Sequence, residues 1–261
     1  MRLKKGCLLF YTLVMTGLLI VFSVSCRKDD KTDHVSEAGS VADIDGNVYN
    51  AVVIGNQEWM AGNLRTTRYN DGSAIDNPGT DNFAWENNIR GAYTWYNNDE
   101  ASYKDAYGAL YNWHAVNTGK LCPAGWRVPS DEDWTTMNRN LPANAGGKLK
   151  ETGTGHWKET DIWATNESGF TALPGGVRLA APPGSSGTET TGRFYFIGRT
   201  GRWWSSSESS SANAWYRSIH FNSGNLYRSN DYKEAGFSVR CVRDLKQASP
   251  EMTSLGVNEC F

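Results

Sequence analysis

Residues 43–64, DIDGNVYNAVVIGNQEWMAGNL, carry the alternation of a β-hairpin. Val48, Val52 and Ile54 share one parity along the chain, so a strand places them on one face. The dipeptide at 55–56 is Gly-Asn, a turn signal before the second run, QEWMA. The pattern therefore predicts that the folded part opens with a hairpin.

A first helix is predicted over residues 106–119, AYGALYNWHAVNTG. Apolar and aromatic side chains recur there at spacings of three and four, the period of a helix face, at Tyr107, Leu110, Tyr111 and His114. A glycine follows at the position where such a helix would stop.

A second helix is predicted to start within CPAGWRVPSDEDWTTM, residues 122–137. Ser130 is a favoured N-cap residue, and Asp133 three residues later completes a shortened capping box. The acidic run 131–133 could instead form a catalytic or metal site. Three successive helical residues point in different directions, however, which favours a structural role at the positive end of the helix dipole.

Strands are predicted in the last third of the chain. Apolar and polar residues alternate in GRFYFIGRTGRWWSSSES (192–209), NAWYRSIHFNSGNLYRSND (213–231) and EAGFSVRCVRD (234–244), with Ser-Gly and Asn turns between them. The remaining segments, 70–105 among them, are polar and rich in turn residues. Together these patterns predict an α+β domain with an N-terminal hairpin, two short helices, a small antiparallel sheet and long loops.

The first 25 residues have the features of a lipoprotein signal peptide. A cationic start, MRLKKG, precedes an uncharged apolar run, and the sequence SVSC resembles a bacterial lipobox, which predicts lipidation of Cys26. A transmembrane helix is the alternative, because roughly 17 to 20 apolar residues can span a bilayer. The abrupt polarity after Cys26 favours cleavage.

Residues 26–40 are predicted to be a flexible tether, residues 41–244 the domain, and residues 245–261 a C-terminal tail. The segment RKDDK after Cys26 resembles the sorting tag of Bacteroidota lipoproteins that face outward from the outer membrane, and a plain solvated tether is compatible with it. We therefore expect a lipid anchor in the cell outer membrane and a body that faces the exterior.

Charge argues against nucleic acid as a partner. The chain has 26 basic and 28 acidic residues. Cleavage before Cys26 would remove three basic residues, Arg2, Lys4 and Lys5, which leaves 23 basic against 28 acidic residues and a formal charge of −5. A nucleic-acid-binding surface needs an excess of basic residues, which this chain lacks.

Three cysteines follow the tether, Cys122, Cys241 and Cys260, and their spacing fits no tight metal-binding motif. We predict a Cys122–Cys241 disulfide, in keeping with an exported protein. It would close a loop of about 120 residues and contribute roughly 4 to 5 kcal/mol by chain entropy. Cys260 is then free or a competing partner.

Aromatic rings are the candidate ligand-binding groups, because they offer a sugar flat apolar faces with polar edges. The chain has 11 Trp, and the candidates are Trp85, Trp95 and Tyr96 in polar loops and the adjacent Trp203 and Trp204. In one strand that adjacent pair points to opposite faces, so the second ring either covers a second layer or meets solvent. For every ring, burial in the core is the alternative.

The sequence offers little other chemistry. Asp43-x-Asp45-Gly46-Asn47 resembles the start of a calcium loop but lacks the later acidic ligand of an EF-hand, so a turn is favoured, and a structural calcium stays open. We identify no catalytic residue, no metal site and no cofactor, since nucleophile, zinc and phosphate-loop motifs are absent. A hydrolase with two carboxylates distant in sequence also stays open.

Eight blocks in order resemble the Fibrobacter succinogenes major paralogous domain. They cover about residues 41–244 and read DIDGNVYNAVVIGNQEWMAGNLRTT, YGALYNWHAV, LCPAGWRVPSDEDW, GGKLKETGTGHW, NESGFTALPGGVR, WWSSSES, AWYRSIHF and GFSVRCVRD. Such domains occur on exported bacterial proteins, often lipoproteins, and their biochemical role is generally unassigned.

WRVPSDEDW and GFSVRCVRD are also similar to segments of formylglycine-generating enzymes, whose fold is related to that of C-type lectins. The resemblance implies a C-type-lectin-like fold with two helices, a small twisted antiparallel sheet and long loops. Those enzymes use a reactive cysteine pair with copper, for which Cys241 and Cys260 are no counterpart. The triplets of calcium-dependent sugar-binding lectins are missing as well, so neither activity is expected.

The sequence therefore favours a surface-exposed, non-catalytic binding module for carbohydrate or for a protein partner. The alternative is a structural or adhesin subunit without a small-molecule ligand. An enzyme of the formylglycine-generating or hydrolytic kind is less favoured.

Overall fold

The structure is a computed structural model that describes residues 39–159, 162–180 and 192–245. The predicted leader with Cys26, most of the tether, and the tail with Cys260 lie outside these ranges. The strands are β1 (Ser40–Ala42), β2 (Val48–Ile54), β3 (Gln57–Met60), β4 (Tyr93–Thr94), β5 (Leu110–Tyr111), β6 (Gly175–Arg178), β7 (Phe194–Ile197), β8 (Thr200–Glu208), β9 (Asn213–His220), β10 (Tyr227–Tyr232) and β11 (Val242–Asp244). The helices are α1 (Asn82–Glu86), α2 (Glu100–Tyr107), α3 (Trp113–Asn117), α4 (Asp131–Asn140) and α5 (Ala145–Leu149). The predicted α+β class is confirmed.

The predicted hairpin is confirmed as β2 and β3, which pair antiparallel. Gly55 turns the chain with a φ of 64°, a conformation that glycine adopts without a steric penalty. On its other side β3 pairs with β11, where Val242 lies opposite Trp59. The resulting sheet has the order β1-β2-β3-β11, so the last strand lies beside the first hairpin.

The strands predicted in the last third of the chain are confirmed. β8, β9 and β10 form an antiparallel sheet in the order β10-β9-β8. Two further antiparallel pairs, β4 with β5 and β6 with β7, complete the pairing of the named strands. The β-structure is therefore divided among several small sheets, whereas the sequence predicts one.

The helix predicted over residues 106–119 is wrong for most of its length. α2 ends at Tyr107, because the next residue, Gly108, has a φ of 72°. Leu110 and Tyr111 form β5, and both side chains are buried because the strand is covered on its two faces. Beyond Tyr107 only α3 is helical in this stretch. A strand covered on both faces gave the spacing of a helix.

The turn-rich segment 70–105 contains α1, β4 and the start of α2. Asp81 and Asp99 cap the two helices, because their carboxylates accept hydrogen bonds from backbone N–H groups three residues later. The sequence predicts two short helices, whereas the described residues hold five. None of these five is long and apolar enough to cross a membrane, and the longest has 10 residues.

α4 begins where the sequence predicts. The Ser130 side chain accepts a bond from the Asp133 N–H at 3.1 Å, and the Asp133 carboxylate accepts one from the Ser130 N–H at 2.8 Å. Asp131 pairs with Arg217 of β9 at 2.6 Å and with Arg228 of β10 at 2.9 Å. The acidic run thus caps the helix and ties it to the three-stranded sheet, as the structural interpretation requires.

β8 contributes to two hydrophobic clusters. Trp204 belongs to the larger cluster and packs on Phe237 with ring centroids 4.3 Å apart. Trp203 belongs to the other cluster, where it packs on Trp134 and Phe170. The second ring of the Trp203–Trp204 pair therefore covers a second layer and does not meet solvent.

The predicted Cys122–Cys241 disulfide is confirmed. The two Cα atoms lie 5.9 Å apart, and both residues are buried. The bridge joins the segment before α4 to the residue that precedes β11. It therefore links the anchored helix to the strand that closes the first sheet.

Arg240, next to the disulfide, is fully buried and forms no ion pair with the described residues. Its guanidinium donates hydrogen bonds to Oδ1 of Asn63 and to the carbonyl oxygens of Met60, Phe170 and Thr171. The Phe170 ring centroid lies 4.0 Å from the guanidinium carbon. Burial lowers the pKa of Arg240 to about 9. One side chain therefore joins three segments that are distant in sequence.

The substitution Arg240→Lys tests this contact. Lysine keeps the charge but cannot supply the planar fork of donors, so buried carbonyl groups lose their partners. We expect the free energy of unfolding to fall by about 3 kcal/mol. The control Arg139→Lys changes an exposed ion pair with Glu132 and should cost about 1 kcal/mol or less. Urea denaturation measures both, and equal small losses would contradict the role given to Arg240.

Candidate binding groove

The five rings predicted to bind a ligand are all buried: Trp85, Trp95, Tyr96, Trp203 and Trp204. None of them is more than 6 % exposed. Each ring is covered by other parts of the chain, which is the alternative of burial in the core that the sequence left open for every one of them.

The polar loops cover their rings with cations and backbone carbonyls. The Arg178 guanidinium carbon lies 4.2 Å from the Trp85 ring centroid, and the indole N–H donates to the Glu234 carbonyl at 2.7 Å. The Lys104 ammonium nitrogen lies 5.3 Å from the Trp95 ring centroid. A hydrophobicity pattern does not register such partners, which explains why the loop rings look available in the sequence.

Four aromatic side chains are exposed in the described part of the chain: Phe83, Trp163, Phe196 and Tyr227. Trp163 and Tyr227 combine an apolar face with a polar edge, and they are 45 % and 41 % exposed. Both lie beside residues 221–226, the connection between β9 and β10. Tyr227 follows this connection in sequence, and the Trp163 side chain packs beside it.

A groove of about 450 Å³ opens between the end of α4, the start of α5 and the β9–β10 connection. We term it the amide groove, because three asparagines are among its lining residues Asn138, Leu141, Asn144, Asn225, Tyr227 and Arg228. The groove thus brings side chains from two helices and one sheet to a common surface beside an exposed tryptophan.

Three glycines allow these segments to approach one another. A Cβ atom on Gly146 would lie 2.3 Å from the Asn225 carbonyl oxygen. One on Gly147 would lie 2.1 Å from the Trp163 carbonyl oxygen, and one on Gly224 would lie 2.9 Å from the Trp163 Cβ atom. Real Cβ atoms do not come so close to other heavy atoms, so the GGKLK block of the sequence positions both Trp163 and Asn225.

The amides of the groove are available to a ligand. Among the described residues, no hydrogen bond uses the side-chain amides of Asn138 and Asn144. Asn144 has a φ of 54°, in the left-handed region that asparagine tolerates better than most residues, and it directly precedes α5. Each amide offers two donors and one acceptor oxygen, which suits a ligand that is rich in hydroxyl groups.

The Tyr227 ring is held in place from two directions. Its hydroxyl lies 2.8 Å from Oγ of Ser223, and the hydrogen bonds from Ser223 and then Asn225 lower the pKa of Tyr227. The His220 ring packs edge-on with centroids 5.2 Å apart. Burial, followed by the nearby cations, lowers the pKa of His220, so this support is neutral at pH 7.

Arg228 extends from the groove towards the start of α4. Its guanidinium carbon lies 3.4 Å from the Trp215 ring centroid, and its Nε and Nη2 atoms donate to the Asp131 carboxylate. Arg217 donates to the same carboxylate at 2.6 Å. Burial alone would raise the pKa of Asp131, but the hydrogen bonds from Arg228 and Arg217 lower it, so Asp131 is ionised at neutral pH.

The Asp43–Asn47 segment is a turn, as the sequence favours. Gly46 has a φ of 83°, and Asp43 Oδ1 accepts bonds from the backbone N–H groups of Asp45 and Asn47. The Asp45 carboxylate accepts a bond from the Thr67 N–H at 2.6 Å. Across the described ranges, no group of three or more His, Cys, Asp or Glu side chains is placed to hold a metal ion.

Sequence reasoning missed Trp163 and Tyr227. Each stands in a polar context, TDIWATNES for Trp163 and NSGNLYRSN for Tyr227, much as Trp85 and Trp95 do. The two pairs differ only in their long-range neighbours. The glycine pair of GGKLK gave no local sign of the close approach that the structure shows at Gly146 and Gly147.

Gly147→Ala tests how the groove is built. The added methyl group meets the backbone of the Trp163 segment, so we expect overpacking to lower the free energy of unfolding by about 2 kcal/mol. Gly155→Ala is the matched control, because nothing lies within 4 Å of its methyl group, and we expect a change within about 0.5 kcal/mol. Urea denaturation of both variants measures the difference. No difference between them would refute the close approach at Gly147.

Comparison with protein families matches residues 52–243 to the Fibrobacter succinogenes major domain. That range is well over half of the chain and includes the amide groove. No curated protein and no solved structure gives a match. The family predicted from the eight sequence blocks is confirmed. The chain belongs to the Fibrobacter succinogenes major domain family.

Proposed function

We propose that this domain is a non-catalytic binding module and that the amide groove binds carbohydrate. The observation that carries the proposal is the position of two exposed rings, Trp163 and Tyr227, beside the free side-chain amides of Asn138 and Asn144.

Carbohydrate is the ligand class that uses both kinds of group. Sugars have C–H faces that stack on aromatic rings, and hydroxyl groups that exchange hydrogen bonds with amides. Gly224 fixes the approach of Trp163, and His220 supports Tyr227, so little side-chain freedom is lost when a ligand binds.

The composition of the groove supports binding without catalysis. Its lining contains no carboxylate, histidine or cysteine, which are the side chains that most often act in acid–base or nucleophilic catalysis. Cys241, one of two cysteines compared with the copper-binding pair of formylglycine-generating enzymes, is held in the disulfide. A disulfide sulfur is not the thiolate that such chemistry needs.

We propose further that a lipid on Cys26 holds the body at the exterior face of the cell outer membrane. The support is the leader at residues 1–25, the lipobox-like SVSC and the RKDDK segment. The Cys122–Cys241 disulfide agrees with an oxidising compartment outside the cytoplasm. We propose as well that the fold is related to that of C-type lectins. The support is the order of elements along the chain, which is a hairpin, then the anchored helix α4, then a closing antiparallel strand.

A structural or adhesin subunit that binds a protein is the second candidate. One observation favours it: Phe83 and Ile89 are 77 % and 76 % exposed next to a separate groove of about 610 Å³. Apolar side chains this exposed, with the ion pair of Asp76 and Arg90 beside them, are typical of a contact surface for another protein.

A glycan array distinguishes the two candidates. Residues 39–245 contain both hydrophobic clusters and the disulfide, so this part carries its own core and serves as the soluble probe. We expect Trp163→Ala and Tyr227→Ala each to weaken glycan binding roughly tenfold, since each removes a stacking face. The control Phe83→Ala removes an exposed ring outside the amide groove and should leave binding unchanged.

Two results would argue against the proposal. Absence of binding to both neutral and acidic polysaccharides would reject carbohydrate binding. Unchanged glycan binding by Tyr227→Ala would show that the site lies elsewhere. Release of cleaved product during the incubation would favour an enzyme in place of a binding module.

A further inference from the structure

We infer that the amide groove selects acidic glycans, in which a carboxylate or sulfate ester lies next to the stacked sugar. The inference rests on the proposed carbohydrate-binding function and gives that function a ligand class. It is drawn from the charges around Arg228, which are independent of the exposed rings.

Two arginines share one carboxylate in the cluster at the start of α4. Arg217 and Arg228 both bond to Asp131, so one carboxylate is shared by two guanidinium groups. The neighbouring acidic residues Glu132 and Asp133 form ion pairs with other arginines. Arg217, Arg228 and Asp131 by themselves therefore carry one net positive charge, while Asp133 shares Arg127 with Asp244 at the other side of the helix start.

The charge on Arg228 is accessible to a ligand. The Arg228 side chain is 46 % exposed, whereas the Arg217 side chain is 4 % exposed. Stacking on Trp215 and two bonds to Asp131 fix the plane of the Arg228 guanidinium. No residue that the structure describes bonds to its Nη1 atom. A fixed guanidinium with a remaining edge suits a carboxylate or sulfate, because its N–H donors match their paired oxygens.

The anion site at Arg228 and the amide of Asn138 are separated along α4. Asp131, which Arg228 contacts, and Asn138, which lines the groove, are seven residues apart on α4, or about 10 Å along its axis. A single sugar ring is shorter than this span. The ligand that reaches from one to the other is an oligosaccharide or polysaccharide that lies along the helix, with one unit at the Asn138 amide and an acidic unit near Arg228.

The attraction must be local. The whole chain has a formal charge of −2, so a polyanion gains nothing from the net charge of the protein. Binding through one exposed guanidinium should therefore be sensitive to the substitution of that residue and to salt.

The test uses polygalacturonate and the same polymer after chemical reduction of its carboxyl groups to alcohols. The two share linkage and backbone and differ in charge alone. For residues 39–245 we expect polygalacturonate to bind about tenfold more tightly than the reduced polymer, as measured by calorimetry at low salt. We expect this preference to fall below about threefold in Arg228→Gln, and roughly 0.5 M NaCl to have the same effect on the unmodified protein.

Matched variants separate loss of charge from loss of fold. Arg139→Gln removes an exposed arginine of α4, paired with Glu132, and should keep the full preference. Arg228→Lys keeps the charge without the planar fork and should give an intermediate preference, which keeps the test informative if Arg228→Gln is unstable.

Equal binding of the two polymers, or an unchanged preference in Arg228→Gln and Arg228→Lys, would overturn the acidic-glycan inference. Carbohydrate binding at the rings would then still stand if Tyr227→Ala weakens both polymers equally. If neither polymer binds and no glycan on the array binds, the proposed function itself is rejected.

Discussion

The guanidinium of Arg240, buried without a carboxylate, is the contact on which the rest of this fold depends. An unpaired buried charge costs several kcal/mol, so the carbonyl groups around it have to stay in place. They come from the end of the first hairpin and from residues 170–171, while Asn63 also accepts a bond from Trp203 in β8. The hairpin, the 170–171 segment and β8 are thereby fixed around one side chain.

The same combination of cation, ring and carbonyl supports the binding surface. Lys150 is 1 % exposed, and its ammonium group donates to the carbonyl oxygens of His220 and Ser223 at 2.6 and 3.0 Å. The Trp157 ring lies 4.9 Å from the same nitrogen. His220 and Ser223 in turn hold Tyr227, so a buried lysine under the β9–β10 connection determines where an exposed ring is presented. The interior and the surface of this domain follow one physical rule.

Prediction from the sequence succeeded where short-range chemistry decides the structure. The Gly-Asn turn at 55–56 and the capping box at Ser130 each involve residues within four positions of one another, and both are as predicted. The helix over 106–119 and the loop rings depend on partners far along the chain. Leu110 lies in a strand because it pairs with Thr94. Trp85 is buried because Arg178 covers its ring. The local pattern of apolar and polar residues does not reveal either partner.

The candidate site shows the same division. The sequence identified neither the close approach at GGKLK nor the two segments that pack there. The amide groove exists because Gly146, Gly147 and Gly224 let three segments meet, and each segment alone resembles an ordinary polar loop. Its ring and amide groups could therefore be identified only when the tertiary contacts were known.

The order β1-β2-β3-β11 has a consequence for how such a domain can be combined with others. All neighbours in this sheet are antiparallel, so the start of β1 and the end of β11 point to the same end of it. From strand spacing and rise, Ser40 and Asp244 are about 20 Å apart. A polypeptide can enter and leave at this one end of the sheet, so the domain can be inserted into a longer protein through two connections that lie near each other.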